Sequence, residues 1–286
     1  ADEVFACAAL SLWAEKAGQR LKIIRTRDEA LIDKADFVVD VGMRYDPENN
    51  RFDHHQKSGA GEHSNGIPYA SFGLVWEKYG EEICGSEVAE MIEQKLVIPI
   101  DARDNGINIT KVLRKDVPEY TVIKELVYAF RPTWQDQPEK SDQNFLEFLD
   151  LAKKILTREI HLCKSVFVGE VKVKDSIRDQ NEPAILVLEE DLPWERVASG
   201  IENIKLVVYP EPDISSWCAE TVMNDLTNYD SHRAQFPEEW QGLRDQELEQ
   251  KTGIRGSVFC HRAGFFAVAR SKEGAIEMAQ RALEPK

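Results

Sequence analysis

The sequence predicts an α/β protein in two parts: a first domain over 1–150 built on a mostly parallel sheet, and a smaller α+β domain over 151–286. Two observations predict it. Over residues 2–99, short apolar runs alternate with helical segments, the order that produces strand–helix–strand units. After about Val166 the pattern changes to separate strands, a hairpin and one last helix, so the boundary falls between 130 and 170.

Each element follows from its residues. Residues 2–18 read as a helix that stops at Gly18, and the chain opens as though that helix were already under way. Residues are therefore expected before Ala1. Residues 21–26 read as a short strand and 27–31 as a helical turn. Residues 37–42 are an apolar run closed by Asp40 and Gly42, which suits a buried parallel strand ending at a site. A turn rich in Asp, Pro and Asn leads to Arg51-Phe52-Asp53-His54-His55. Helices are expected over 70–79 and 84–99, and mostly helix over 110–165. Strands follow at 184–189 and 204–209, then two strands over 256–270 around a turn at Arg262-Ala263-Gly264, then an amphipathic helix over 273–283.

The bulk composition narrows the function. A hydrophobic fraction of 42% and a charged fraction of 30% fit a soluble globular chain of 286 residues. No run of about 18 apolar residues exists, so no membrane span is expected. The five cysteines Cys7, Cys84, Cys163, Cys218 and Cys260 form no CxxC pair, which argues against a disulfide framework or thiolate zinc site. A cytoplasmic location is the expectation, and an organellar address would lie upstream of Ala1. The net charge of −15 argues against broad electrostatic binding of nucleic acid. It does not exclude an anionic substrate, because divalent cations neutralise a carboxylate cluster locally.

Four places in the first domain carry acids or histidines at the edge of apolar segments: Asp2 with Glu3, Asp40, Asp53-His54-His55, and Asp101-Ala102-Arg103-Asp104-Asn105-Gly106. The carboxyl ends of parallel strands gather at one crevice. Hard divalent cations such as Mg²⁺ and Mn²⁺ take carboxylate oxygens, and imidazole favours Mn²⁺. Against this, a lone Asp at a strand end is most often a turn or capping residue. Adjacent histidines after an Asp are harder to dismiss. His63, in a Gly/Ser-rich loop, reads as a surface residue. Asp101 and Asp104 are three apart and share a helix face, so one is expected to cap the turn while the other binds metal.

The motifs Asp2-Glu3, Val38-Val39-Asp40-Val41-Gly42, Phe52-Asp53-His54-His55-Gln56 and Asp101-Ala102-Arg103-Asp104-Asn105-Gly106 together resemble the melanocyte-proliferating-gene family. That family is a branch of the DHH phosphoesterase superfamily, related to RecJ-type exonucleases and manganese pyrophosphatases. The resemblance extends to Ile67-Pro68-Tyr69-Ala70-Ser71-Phe72-Gly73, Arg131-Pro132-Thr133-Trp134, Trp240-Gln241-Gly242-Leu243-Arg244-Asp245 and the tail Phe259-Cys260-His261-Arg262-Ala263-Gly264-Phe265. It implies a DHH-type first domain, a cleft between two domains, and Mn²⁺ or Mg²⁺, two ions, in the first. It implies an exonuclease acting on single-stranded RNA or short oligonucleotides from the 3′ end. Carried over by motif, Asp2, Asp40, His54 and an acid of Asp101 and Asp104 would hold metal. Asp53 would orient or bridge, and His55 would face the substrate phosphate. The family's first motif reads His-x-Gly-x-Phe-His-x-Asp-Glu, of which this chain carries Asp2-Glu3.

Residues 251–272 hold Lys251, Arg255, Arg262, Arg270 and Lys272 and no acid, a local reversal of sign. Arginine suits bidentate phosphate contact. His261 and Arg262 stand beside Gly264, where backbone can approach a ligand closely. Phe265 and Trp240 are candidates to stack on a base, with Arg244 alongside in the matching motif. The plainer reading is a solvated hairpin with basic edges. Trp240 and Trp134 equally suit core positions. Two competing functions stay open: a small-molecule phosphatase or pyrophosphatase, and a non-catalytic regulatory protein with an incomplete metal site. A homodimer is among the assemblies left open.

Overall fold

The computed structural model describes residues 1–110, 127–137, 139–211 and 215–284. The chain divides into two compact units, Ala1–Lys164 and Ser165–Lys286.

In the first unit, α1 (Asp2–Lys16) is apolar on nearly every side, with Ala6, Ala8, Ala9 and Ala14 fully buried. A helix apolar all round belongs inside a protein. Its small side chains let it lie close against α3 (Ser71–Cys84), where Phe5 meets Phe72 at 5.6 Å between ring centres. The segment 21–26, expected as a strand, pairs with no strand among the described residues. Its apolar residues do not make a strand without a partner ladder. The helical turn expected at 27–31 is α2 (Glu29–Lys34), capped by Asp28, whose carboxylate accepts from the Ala30 N–H.

The sheet of this unit is small and mixed. β1 (Val38–Val39) lies parallel to β3 (Arg51–Phe52), and β2 (Tyr45–Asp46) lies antiparallel to β3. The sequence predicted a mostly parallel sheet. Antiparallel pairing enters because the short turn over 47–50 reverses the chain, whereas a parallel return needs about a dozen residues or more.

After α3, Gly85 at φ +90° breaks the helix. The next helix runs further than the expected 84–99: α4 (Ser86–Ile92), a wide π turn (Glu93–Val97) and α5 (Ile98–Asp104) follow without interruption. Pro99 has no N–H for an i−4 bond, and the widened turn beneath it lets the helix continue. The stretch 110–165, expected to be mostly helical, lies outside the described residues at 111–126 and 138. Its later part belongs to α6 (Glu139–Asp179), within which the division between the units falls.

The second unit is a sheet with helices on both faces. Strand order is β4 (Ile185–Val187), β5 (Leu206–Glu211), β6 (Ser216–Thr221), β8 (Phe266–Ala269), β7 (Ser257–Cys260), with the first pair parallel and the rest antiparallel. Alternation along β5 sorts its side chains. Leu206 and Val208 join Leu248 of α8 (Asp245–Thr252) and Met278 of α9 (Lys272–Ala282). Val207 and Tyr209 join Val173 and Ile177 of α6 and Ala198 of α7 (Glu195–Ser199). The hairpin expected over 256–270 is β7 and β8. All five cysteines are free, and no helix among the described residues is long and apolar enough to cross a membrane.

Candidate metal centre

Four elements of the first unit bring their acids and histidines together. Asp40 leaves β1 in the left-handed region, at φ +60°, its N–H still donating to the Phe52 carbonyl at 3.0 Å. Such a conformation is uncommon for any residue but Gly and turns the side chain out of the strand path. Asp53, His54 and His55 follow β3 directly. Asp104 ends α5, and Asp2 begins α1.

His54 Nε2 lies 3.2 Å from Asp104 Oδ2 and 3.5 Å from Asp40 Oδ1. It is buried and, despite these distances, makes no hydrogen bond. Two overlapping sets of donor atoms result, each within 4.8 Å: Asp40, His54 and His55, and Asp2, His54 and Asp104. The Asp104 and Asp40 carboxylates beside it push the His54 imidazole up to about 10, so in the bare protein a proton supplies the positive charge the cluster lacks. Burial drives the Asp2 carboxyl well above its usual range, and Asp101, Asp104 and Asp40 push it further. Asp104 is held low, chiefly by the His54 ring 3.2 Å away. An acid-rich pocket with an orphaned buried nitrogen fits a hard or borderline divalent cation with mixed oxygen and nitrogen donors.

Asp53 is buried and does not join either set. Its Oδ2 accepts the Met43 N–H at 2.6 Å, and its Oδ1 accepts both the His55 N–H at 3.0 Å and the His55 Nδ1–H at 2.8 Å. Burial pushes its carboxyl up, but the His55 backbone, the His55 ring and the Met43 N–H outweigh this and hold it low. With Nδ1 fixed on Asp53, the far nitrogen of the half-exposed His55 ring points away from Asp53.

Asp101 and Asp104 differ in their contacts. Asp101 is fully buried; its Oδ2 lies 2.8 Å from His63 Nε2 and its Oδ1 accepts the Gly73 N–H at 3.2 Å. It is in neither donor set, so Asp104 is the acid at the centre. His63, expected at the surface, is 2% exposed, with Nδ1 2.8 Å from Glu93 Oε1. Ser71 was also missed. Its hydroxyl donates to Asp40 at 3.2 Å, and its N–H and that of Phe72 donate to Asp2 at 2.9 and 2.6 Å. The first turn of α3 thus anchors three acids. The signal available in the sequence was the glycine of Ser71-Phe72-Gly73: a Cβ on Gly73 would fall 1.9 Å from Asp101 Oδ2.

In the second unit the turn 261–264 is tight. The Ala263 N–H donates to His261 Nδ1 at 3.1 Å, and Gly264, at φ +70°, donates to the His261 carbonyl at 2.8 Å. Phe265 lies between two imidazoles, stacked on His232 at 5.0 Å and tilted to His261 at 4.4 Å. Arg262 is exposed. Arg244 lies over the Phe259 ring at 5.6 Å. Trp240 is 4% exposed within the core, so its faces are covered by packing and are not offered to a base. Trp134, in contrast, is 91% exposed.

The first unit therefore carries a carboxylate–imidazole centre suited to divalent cations, on a small mixed sheet wrapped by helices. The chain belongs to the uncharacterised protein family UPF0160 (MYG1_exonuc), whose model matches residues 1–283. Its relatives include the MYG1 protein C694.04c of Schizosaccharomyces pombe, 29% identical over 99% of this chain and 94% of the relative. The MYG1 exonuclease of Homo sapiens is 29% identical over 99% of this chain and 82% of the relative. The MYG1 protein of Dictyostelium discoideum is 31% identical over 99% of this chain and 93% of the relative. No solved structure gives a significant match.

Proposed function

We propose that this chain is a divalent-metal-dependent phosphodiesterase of the DHH type, trimming single-stranded RNA or short oligonucleotides from the 3′ end. The observation that carries it is the buried His54 Nε2, without a hydrogen bond and surrounded by Asp2, Asp40 and Asp104. The name exonuclease borne by the human, mouse and bovine relatives supports a nuclease over other phosphoesterases. Asp2, Asp40, His54 and Asp104 would hold Mn²⁺ or Mg²⁺; a second ion would share the carboxylates, since the one lone pair of His54 Nε2 serves a single ion. Bound there, the metal supplies charge neutralisation for the phosphoester and lowers the pKa of water.

The protein's own groups do the rest. Asp53 fixes the His55 ring, whose far nitrogen would face a phosphoryl oxygen of the substrate. In the second unit, His261 and Arg262 are the proposed contacts to the terminal phosphate, and Phe265 the contact to a base. Gly264 serves packing in that turn and does not open it to a ligand: a Cβ there would fall 2.5 Å from Gln241 Nε2. The test is hydrolysis of a 5′-labelled RNA oligonucleotide by the full chain in Mn²⁺, in Mg²⁺ and in chelator. Activity in Mn²⁺ that disappears in chelator and in His54→Ala is expected. Full activity in that variant would sink the scheme. Phosphate release from pyrophosphate with the RNA left intact would redirect it to a small-molecule phosphatase.

A further inference from the structure

We infer that His63 is a positioning residue for the metal-ligand cluster, clamping Asp101 of α5 against the start of α3 so that Asp104 and Asp2 stand at their ligand positions. The inference rests on the metal-centre reading above and adds a residue that does not itself touch metal or substrate.

His63 is locked from every side. Its N–H donates to the Ile67 carbonyl at 2.8 Å, its carbonyl accepts the Gly66 N–H at 2.9 Å, and its ring lies 4.2 Å from that of Tyr69. Both ring nitrogens face carboxylates, Glu93 on one side and Asp101 on the other, each at 2.8 Å. Two such contacts need two protons, and an imidazolium provides both. Burial works against that charge, but Asp101 and Glu93 overcome it and raise the His63 pKa. His63 is thus the cation facing a fully buried Asp101 carboxylate. Without it Asp101 would take up a proton or move toward water, since an unpaired buried charge is costly.

What depends on Asp101 is the framework of the centre. The opening amides of a helix lack partners within the helix. In α3, Ser71 and Phe72 donate to Asp2, and Gly73 donates to Asp101. One helix start therefore fixes two acids of the centre directly, Asp2 and Asp40, and holds α5 through Asp101. Asp104 stands one turn further along α5, 3.2 Å from His54. Glu93, the outer partner of His63, sits at the opening of the π turn of the same continuous helix. The clamp thus grips that helix at two points, 93 and 101, on either side of Pro99.

The test is Mn²⁺ binding to the full chain, titrated by electron paramagnetic resonance. Wild type, His63→Ala and His63→Gln are compared well below their melting temperatures, with circular dichroism confirming that each is folded. Removing outer-shell partners of metal sites weakens binding about 10–100-fold, and for a residue one contact further out we expect about 10-fold for His63→Ala. Glutamine keeps one donor for Asp101 and should retain more of the affinity. If His63→Ala does not fold, His63→Gln carries the comparison alone, with weaker binding than wild type expected. Lower melting temperatures with wild-type Mn²⁺ affinity would overturn the inference, leaving His63 a purely structural ion pair. Absence of Mn²⁺ binding by the wild type would overturn the metal reading and this inference together.

Discussion

Asp53 shows how one buried carboxylate can serve a centre without joining it. Both oxygens are taken by Met43 and His55, and each accepts from an N–H. Asn at this position has the same shape but must turn its amide toward one of those donors. Asp53→Asn is therefore expected to free the His55 ring, lowering kcat about 10–100-fold as outer-shell losses do. Bound Mn²⁺ should stay at the wild-type level, since Asp53 hydrogen-bonds Met43 and His55 and none of the proposed ligands Asp2, Asp40, His54 and Asp104. Elemental analysis of the variant beside its rate separates the two effects; loss of metal would make Asp53 a ligand instead. At this scale the sequence was partly legible. Asp40, His54 and Asp104 could be found because each stands in a short motif at the end of an apolar run. His63, Glu93 and Ser71 could not, because their roles depend on contacts with residues about thirty positions away or more.

Among the elements, α3 is the organiser. Its opening turn gathers Asp2, Asp40 and Asp101, which come from three separate segments. Gly73 makes this possible. A Cβ there would lie 1.9 Å from Asp101 Oδ2 and 2.6 Å from Tyr69 Cδ1, and Asp101 is pinned by His63 and cannot swing away cheaply. Gly73→Ala should destabilise the chain by about 1–3 kcal/mol, the usual cost of overpacking. It should also weaken Mn²⁺ binding, because the acid it displaces holds α5. Thermal unfolding with and without Mn²⁺ measures both; an unchanged melting temperature in chelator would mean the turn relaxes without cost. Most helices were legible, since their apolar faces and glycine stops are local. The strand expected at 21–26 is not an element, because a short apolar run makes a strand only where a partner exists. The helix through Pro99 was longer than expected because its π turn is a backbone adjustment with no residue signature.

Across the whole chain, a net charge of −15 opposes any polyanionic substrate. The proposed RNA contact must overcome that field locally, through the metal centre and the acid-free stretch 251–272. That stretch offers fewer free cations than its composition suggests. Lys272 is hydrogen-bonded to Glu189 and extends toward the Trp217 ring, which leaves Lys251 and the exposed Arg255, Arg262 and Arg270, of which the three arginines suit bidentate phosphate contact. Each phosphate neutralised on a single strand contributes about 0.7 to the slope of log K against log salt, so three contacts give a slope of about −2. Proteins that bind nucleic acid over broad basic surfaces show much steeper slopes, and this chain should not. Arg262→Ala should reduce the slope by about 0.7 while leaving Mn²⁺ binding intact. Fluorescence anisotropy of a labelled single-stranded RNA, titrated in Mn²⁺ across a range of potassium chloride, reads both quantities. A slope unchanged by the substitution would remove Arg262 from the substrate contacts. The centre at Asp40, His54 and Asp104 would stand unaffected, because its argument uses no residue of that stretch.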